Sequence, residues 1–185
     1  LREAFGSDLK AYYLHYITYG QREGRITTGA VRILNAATVY DGIDYAPIYD
    51  YQYYIEHNPD VVNVLGYDEA VVLNHFVQYG MSERRKGNET FDVNSYRNQY
   101  QDLRIAYGTN WKAYYLHYIN YGHAENRAGT GCSKLKDPIH VFNGIDIASI
   151  YDFWYYAEHY QDLIDAYGYD DAALIRHFAL YGIRE

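Results

Sequence analysis

Histidine recurs in this sequence at a spacing that could serve chemistry. Each copy precedes a Tyr-Gly pair by four residues, and the four pairs of His and Tyr are His15 and Tyr19, His75 and Tyr79, His117 and Tyr121, and His177 and Tyr181. Imidazole is a general base and a common metal ligand. A catalytic or metal site is assembled once, however, and no second ligand accompanies the histidine in all four places, since His57 and His159 occur in only two. We therefore predict a structural role in which each histidine is buried and hydrogen-bonded to a backbone group.

A glutamate follows each Tyr-Gly pair by three residues, and an arginine comes two residues later. The glutamates followed by an arginine are Glu23, Glu83 and Glu125. Glutamate can act as a general acid in a cleft, but its repetition beside a helix end predicts an ion pair with that arginine or with an aspartate of the next unit. The Gly-Ile-Asp segments at 42–44 and 144–146 lack the ligand spacing of a calcium loop. The sequence thus predicts no catalytic residue, no metal site and no cofactor.

The repeated motif divides the chain into four units of two alternating kinds. The steps between the repeated histidines are 60, 42 and 60 residues, so the full period is 102 residues. We assign residues 1–29 to the C-terminal part of unit 1, 30–49 to a connector, 50–90 to unit 2, 91–129 to unit 3, 130–151 to a second connector and 152–185 to a truncated unit 4. The chain is expected to be a window cut from a longer array.

The sequence of each unit predicts three short helices. Apolar residues between 69 and 79 follow one helical face. Short polar residues that can cap helix N-termini precede the first and last helices, at Asp50, Asp92 and Asp152 and at Asp8, Asp68, Asn110 and Asp170. Gly80 and its equivalents are expected to end the last helix in a left-handed conformation. Because such short helices are marginal alone, the units should stack. The predicted fold is all-α, with tandem repeats of three short helices in a stacked, solenoid-like array joined by short extended connectors.

Composition excludes several classes of partner. The formal net charge of -8 opposes binding to nucleic acid, which depends on Lys and Arg contacts to phosphates. No apolar run is long enough to insert in a membrane, and no signal peptide is recognisable. The lone Cys132 excludes an internal disulfide framework.

The two tryptophans are the first candidate ligand contacts. Trp111 aligns with Leu9, Glu69 and Asp171, and Trp154 aligns with Gln52 and Asn94. Positions that tolerate polar residues are expected to be exposed, and exposed Trp often contributes strongly to interfaces. Leu116 is a further candidate, on a helix face predicted to point away from the core. Packing between neighbouring units of the array explains these residues equally well.

Tyrosine is the unusual feature of the composition, with 26 copies against 6 Phe and 2 Trp. Those in the repeated motif, Tyr19, Tyr79, Tyr121 and Tyr181 among them, are predicted to be scaffold. The surplus lies where other units carry different residues, and from it we select Tyr51, Tyr67, Tyr160 and Tyr169 as candidate ligand contacts. Tyr-rich surfaces bind proteins in antibodies and also stack on sugars, and the scarcity of Trp favours protein.

Three segments carry a resemblance to a known repeat family: YYIEHNPDV at 53–61, LNHFVQYGMSERR at 73–85 and VYDGIDYAPIYD at 39–50. They resemble tandem Tyr/Gly-rich helical repeats of secreted and cell-surface proteins of gut Firmicutes, especially Lachnospiraceae. The resemblance covers nearly the whole chain and implies an extracellular targeting or adhesion segment. Such repeats accompany muramidase-type domains, and related surface proteins bind immunoglobulin as superantigens. The repeat carries no catalytic residues, so the resemblance implies none here.

Together these observations predict a non-catalytic binding module of an extracellular bacterial surface protein. The expected partner is a host protein, with immunoglobulin as the sharpest version. A cell-wall glycan, or a spacer role beside a wall hydrolase, is the alternative. Neighbouring repeats of a longer protein are expected as further contacts.

Overall fold

Short helices make up most of the computed structural model, which describes residues 1–6, 8–25, 33 and 35–184. The α-helices are α1 (Arg2–Phe5) and α2 (Leu9–His15) in unit 1, α3 (Tyr51–His57), α4 (Pro59–Leu65) and α5 (Glu69–His75) in unit 2, α6 (Val93–Gln99), α7 (Gln101–Tyr107) and α8 (Trp111–His117) in unit 3, and α9 (Phe153–His159), α10 (Gln161–Tyr167) and α11 (Asp171–His177) in unit 4. The predicted mainly helical fold is confirmed. Parts of unit 1 and of the first connector, at 26–32, and the motif residue Glu185 lie outside the described residues.

The last helix of each unit continues directly into a five-residue π-helical turn. These turns are Tyr16–Gly20, Phe76–Gly80, Tyr118–Gly122 and Phe178–Gly182. The expectation that Gly80 ends the helix in a left-handed conformation is wrong, because the left-handed residue comes four positions later, at Arg84 with φ of 62°. Gly80 is small for another reason, since a Cβ atom there would lie 2.6 Å from the Tyr54 hydroxyl oxygen.

Aspartate side chains cap the helices at most of the predicted places. Asp50 accepts a hydrogen bond from the backbone N–H of Tyr53 at 2.7 Å, and Asp92 and Asp152 make the equivalent contact. Such caps satisfy backbone donors that have no partner within the helix. Asn110 precedes α8 but makes no side-chain cap, so that prediction is wrong.

Each connector contains a short β-hairpin whose two strands are two residues long. In the first, β1 (Val39–Tyr40) pairs antiparallel with β2 (Ile43–Asp44), and in the second β3 (Val141–Phe142) pairs with β4 (Ile145–Asp146). Asp41 and Gly42 between the first two strands have φ of 52° and 78°, as a tight hairpin turn requires. The predicted short extended segments are therefore confirmed.

Units 2 and 3 follow each other without a connector and share one apolar core. We call this contact the 2–3 junction. Tyr115 of α8 lies at its centre, with its ring centroid 6.0 Å from Phe76 of unit 2 and 5.3 Å from Phe91. The Tyr115 hydroxyl donates to the backbone carbonyl of Arg85 at 2.8 Å. The junction is therefore aromatic, and the hydroxyl of its central tyrosine is hydrogen-bonded.

Units 3 and 4 are separated by the connector at 130–151, and we call their contact the 3–4 junction. The connector lies along unit 3, where the Cys132 N–H donates to Ser95 Oγ at 2.8 Å and the Lys136 N–H donates to the Asn98 carbonyl at 2.8 Å. Unit 4 has its own core, which includes the connector residues Leu135 and Ile139. No described helix is long and apolar enough to cross a membrane.

Candidate functional site

The repeated histidines contact tyrosine hydroxyls. Nδ1 of His75 shares a hydrogen bond with the Tyr54 hydroxyl at 3.1 Å, and His117 and His177 repeat this contact with Tyr96 and Tyr156. The predicted backbone partner is thus wrong, although the contact is structural in character. Burial lowers the pKa of His75 and of His117, and the charge of a nearby arginine lowers each further. In unit 1 the Nδ1 atom of His15 is buried without a hydrogen-bond partner among the described residues.

The repeated glutamates pair with the arginines that follow them, as predicted. Glu83 contacts Arg85 at 2.5 Å, and equivalent pairs join Glu125 to Arg127 at 2.6 Å and Glu23 to Arg25. Arg85 also contacts Asp60 of its own unit at 2.7 Å. That hydrogen bond lowers the pKa of the Asp60 carboxyl. The aspartate therefore belongs to the same unit, whereas the next unit was predicted.

Three of the predicted ligand contacts meet in one cleft at the 3–4 junction. We call it the 3–4 cleft, and its volume is about 690 Å³. Trp111 lines it from unit 3, and Trp154 and Tyr169 line it from unit 4. Trp111 packs against the core of units 2 and 3, and Trp154 packs against the core of unit 4. Both are half-buried, so they are less exposed than predicted. A concave site with converging aromatic and polar groups is the usual form of a binding site.

Trp111 forms one wall of the 3–4 cleft together with two arginines. The guanidinium carbon of Arg84 lies 4.9 Å from the indole centroid, and that of Arg97 lies 5.5 Å from it. Cations are attracted to the electron-rich face of an indole ring. Trp111 therefore holds two positive charges at the edge of the cleft.

Trp154 forms the opposite wall within an aromatic cluster. Its ring centroid lies 4.8 Å from that of Phe153 in an edge-to-face arrangement and 6.1 Å from that of Tyr169. Tyr169 is 57% exposed and so extends this wall toward solvent. The two walls thus differ, one being aromatic and the other aromatic and cationic.

Arg97 is the unusual residue of the 3–4 cleft, because it is charged and only 6% exposed. One terminal nitrogen contacts Asp170 at 3.3 Å. Its Nε atom is buried and has no hydrogen-bond partner among the described residues. A buried donor without a partner costs free energy, typically about 1–3 kcal/mol. The Tyr114 hydroxyl also interacts with the Arg97 side chain, so the unmatched group is the buried Nε donor of a residue that lines the cleft.

A second buried arginine, Arg104, lies close by and differs in this respect. Its Nε donates to Asp171 at 3.0 Å, and its terminal nitrogens donate to four backbone carbonyls, of Arg97, Asn98, Lys136 and Asp137. Asp171 also accepts from the Ile139 N–H at 3.0 Å. Arg104 therefore clamps the connector and unit 4 onto unit 3, and its role is structural.

Charge in the 3–4 cleft differs from that of the whole chain. The charged residues that line it are Arg84, Arg97, Lys134, Glu158 and Asp170. Asp170 is already engaged, because it pairs with Arg97 and accepts the Ala173 N–H at 3.1 Å as the cap of α11. The cleft is thus locally cationic in a chain of formal net charge -8.

The other predicted ligand contacts lie outside the 3–4 cleft. Tyr51 is 2% exposed, and its hydroxyl donates to the Tyr67 carbonyl at 2.6 Å, so the expectation that it belongs to an exposed surface is wrong. Leu116 is half-buried against the core of the 2–3 junction, contrary to the predicted outward face. Tyr67 and Tyr160 are exposed, but neither lines the cleft.

The tyrosines of the repeated motif, for which a scaffold role was predicted, are exposed. Tyr19, Tyr79, Tyr121 and Tyr181 are between 56% and 60% exposed. Each ring lies against the repeated histidine of its own unit, as in the 5.7 Å contact between Tyr79 and His75. The π-helical turn that follows the histidine carries the tyrosine out to the surface.

Sequence reasoning missed the cationic half of the cleft. Arg97 aligns with Ile55 and Ala157, so a signal was present as a charge at an apolar position of the repeat. Arg84 aligns with Gly24, but nothing in the sequence indicates that it lies over Trp111. Asn94, Asn98 and Lys134 gave no signal, because amides and lysines are common on any surface.

Within residues 1–6, 8–25, 33 and 35–184, no three His, Cys, Asp or Glu side chains are grouped so that they could hold a metal ion. Comparison of the chain with protein-family models, curated proteins and solved structures finds no match.

Proposed function

We propose that this chain is a non-catalytic binding module of an extracellular bacterial surface protein. Its units are stacked as a solenoid-like helical array, and its ligand is a macromolecule that enters the 3–4 cleft. The partner we favour is a host protein, with immunoglobulin as the specific candidate. The observation that carries the proposal is the meeting of Trp111, Trp154 and Tyr169 in one cleft.

The composition of the cleft supports a protein partner. Energetically dominant residues of protein interfaces are enriched in Trp, Tyr and Arg, and they lie in well-packed, desolvated pockets. The 3–4 cleft combines two Trp with Tyr167, Tyr169, Arg84 and Arg97. Aromatic side chains also lose little conformational entropy on binding, because they have few rotatable bonds.

The chemistry of the cleft supports binding without catalysis. Of its two carboxylates, Asp170 is held by Arg97 and by the N-terminus of α11. The repeated His75 and His117 do not line the cleft, and tyrosine hydroxyls of their own units engage them. General acid–base catalysis needs a positioned group that is available to exchange a proton with substrate.

A wall glycan is a second candidate, favoured by the polar lining of the cleft. Asn94, Asn98, Thr109 and Ser133 line it beside Trp154. Amide and hydroxyl groups can hydrogen-bond to sugar hydroxyls while an aromatic ring contacts the sugar face. A module that carried a wall hydrolase to its substrate would use such a site.

Binding of the purified chain to pooled human immunoglobulin, beside pelleting with purified peptidoglycan, tests the proposal. The repeat supplies a matched pair of variants, because Tyr169 and Tyr67 are equivalent residues one period apart and only Tyr169 lines the cleft. We expect Tyr169→Ala to weaken immunoglobulin binding at least tenfold and Tyr67→Ala to leave it unchanged. Trp111→Leu and Trp154→Gln install the residues of units 1 and 2 and should also weaken it.

The alternatives give different results. Pelleting with peptidoglycan, without immunoglobulin binding, would make the chain a wall-targeting module. Equal immunoglobulin binding by all four variants would place the contact outside the cleft. Binding to neither probe would contradict the proposed function and favour a spacer.

A further inference from the structure

The equivalent positions of Arg97 show that the fold does not require an arginine there. Unit 2 has Ile55 and unit 4 has Ala157, which is 4% exposed and packs in the unit 4 core. Burying a guanidinium is costly unless its charge and all of its donors are matched, and apolar replacements of such groups are often neutral or stabilising. An arginine held at an apolar position of the repeat therefore indicates a role other than packing.

The surroundings of Arg97 fit a ligand that carries a negative charge. The Nε donor is buried without a partner among the described residues, although the side chain lines the cleft. Arg84 lies over the same indole ring, and Lys134 lines the same cleft from the connector. By contrast, all three nitrogens of the neighbouring Arg104 donate to protein oxygens. Of these two buried arginines, the one that lines the cleft is thus the one with an unmatched donor.

We propose that Arg97 binds the carboxylate of an Asp or Glu side chain that a partner protein inserts into the 3–4 cleft. The carboxylate accepts from the guanidinium group of Arg97, Arg84 and Lys134 supply further positive charge, and the apolar part of the inserted segment packs on Trp154 and Tyr169. Charge-assisted bonds between guanidinium and carboxylate are among the strongest hydrogen bonds in proteins. This inference rests on the proposed function, since it specifies what the cleft binds.

An acidic protein side chain fits better than an acidic sugar. Two guanidinium groups already lie over the Trp111 ring, at 4.9 and 5.5 Å, so this indole positions cations instead of presenting an open face to a sugar. The opposite wall is built from Phe153, Trp154 and Tyr169 and suits an apolar neighbour of the acidic residue. Trp, Tyr and Arg around a desolvated charge are typical of protein interfaces.

The probes for the test are small blocked amino acids. N-acetyl-glutamate N-methylamide and the aspartate analogue present the carboxylate, and N-acetyl-glutamine N-methylamide is the neutral control of nearly the same shape. Glucuronate and N-acetylmuramate represent acidic sugars. NMR follows the Arg97 Nε–H signal, assigned by its loss in Arg97→Ile, and the two indole N–H signals. Arg97→Ile installs the residue of unit 2 and is expected to fold.

We expect the blocked acidic amino acids to shift the Arg97 Nε–H signal with millimolar affinity, at least tenfold more tightly than the glutamine analogue. In Arg97→Ile the shifts of the indole signals should disappear. Rising salt should weaken the effect, because partly exposed charges are screened. Stronger shifts with the acidic sugars than with the amino acids would overturn the inference in favour of a glycan site. Equal shifts with the glutamate and glutamine probes would overturn it as well.

Immunoglobulin binding separates this inference from the proposed function. If wild type and Arg97→Ile bind immunoglobulin equally, the proposed function stands and the carboxylate site is wrong. If the chain does not bind immunoglobulin but the glutamate probe shifts Arg97 Nε–H, the site stands and the choice of immunoglobulin is wrong.

Discussion

The 2–3 and 3–4 junctions join the same kind of unit in opposite ways. The 2–3 junction is formed by rings, with Tyr115 between Phe76 and Phe91, and its side chains share one continuous core. The 3–4 junction is formed largely by polar contacts of Arg104 and Asp171, which join two separate cores. Only the second of them leaves a large cleft with two tryptophans in its walls.

The difference separates stability from recognition. Burial of aromatic rings stabilises the folded chain whether or not a ligand is bound, so the 2–3 junction is suited to holding the units together. A junction that buries charged groups is less favourable, because desolvation offsets much of their attraction. Ligand binding between units 3 and 4 would explain why this junction has a connector and two buried arginines in place of an apolar contact.

Among the variants considered, breaking the ion pair between Arg104 and Asp171 at the 3–4 junction should reduce the stability of the fold most. Asp171→Ala leaves Arg104 buried without its carboxylate, and we expect a loss of about 3–5 kcal/mol in the free energy of unfolding, measured with urea. The double variant Arg104→Val/Asp171→Leu is the control and should recover most of that loss, because Val62 and Ile164 occupy the equivalent positions of Arg104. A cost below about 1 kcal/mol for the single variant would show that the pair does not clamp the junction.

A smaller effect is expected from the polar end of the 2–3 junction. Tyr115→Phe keeps the ring but removes the donor to the Arg85 carbonyl, which should cost about 1–2 kcal/mol in thermal or urea unfolding. Tyr121→Phe, at an exposed position of the π-helical turn that follows α8, is the control and should change nothing measurable. Equal effects of the two substitutions would mean that the buried hydroxyl is not a specific contact.

Acid should weaken units 2 and 3 before it breaks their ion pairs. The pKa of His75 and of His117 is lowered in the folded chain, so the unfolded chain binds more protons as the pH falls through the ordinary value of 6.5. Stability should therefore decrease from pH 7 to pH 5. The pKa of Asp60 is also lowered, so the Arg85 pair is lost only at more acidic pH.

The double variant His75→Gln/His117→Gln tests the origin of this pH dependence. Its melting temperature should vary less between pH 7 and pH 5 than that of the wild type. An unchanged slope would assign the effect to other groups.

The smallest effect on stability is expected for the aromatic wall of the 3–4 cleft. Tyr169→Ala and Tyr67→Ala remove exposed rings and should each change the free energy of unfolding by less than about 0.5 kcal/mol. Only Tyr169→Ala should affect ligand binding. A large loss of stability for Tyr169→Ala would show that this wall is structural.

Local features of the fold could be predicted because each depends on neighbouring residues. The caps at Asp50 and Asp68 and the short extended segments of the connectors each depend on interactions within a few positions. The left-handed conformation predicted for Gly80 was wrong because the reason for that glycine is the hydroxyl of Tyr54, which lies 26 positions away.

The candidate site could be predicted only in part. Comparing units identified Trp111, Trp154 and Tyr169, because a ligand contact is free to differ between repeats. The same comparison selected Tyr51, and a predicted outward helix face selected Leu116. Both pack in the protein, because sequence position alone does not distinguish a surface residue from a core residue. Arg97 differs between units as well, but its burial beside Trp111 depends on how units 3 and 4 pack.

The stability of Arg97→Ile tests the central claim most directly, because it asks whether this buried charge serves the fold. If Arg97 is kept for a ligand, urea unfolding should give a free energy equal to or above that of the wild type, since Ile55 fills the same position in unit 2. A loss of about 2 kcal/mol or more would show that Arg97 holds the 3–4 junction together, and it would contradict the account of the cleft as a binding site.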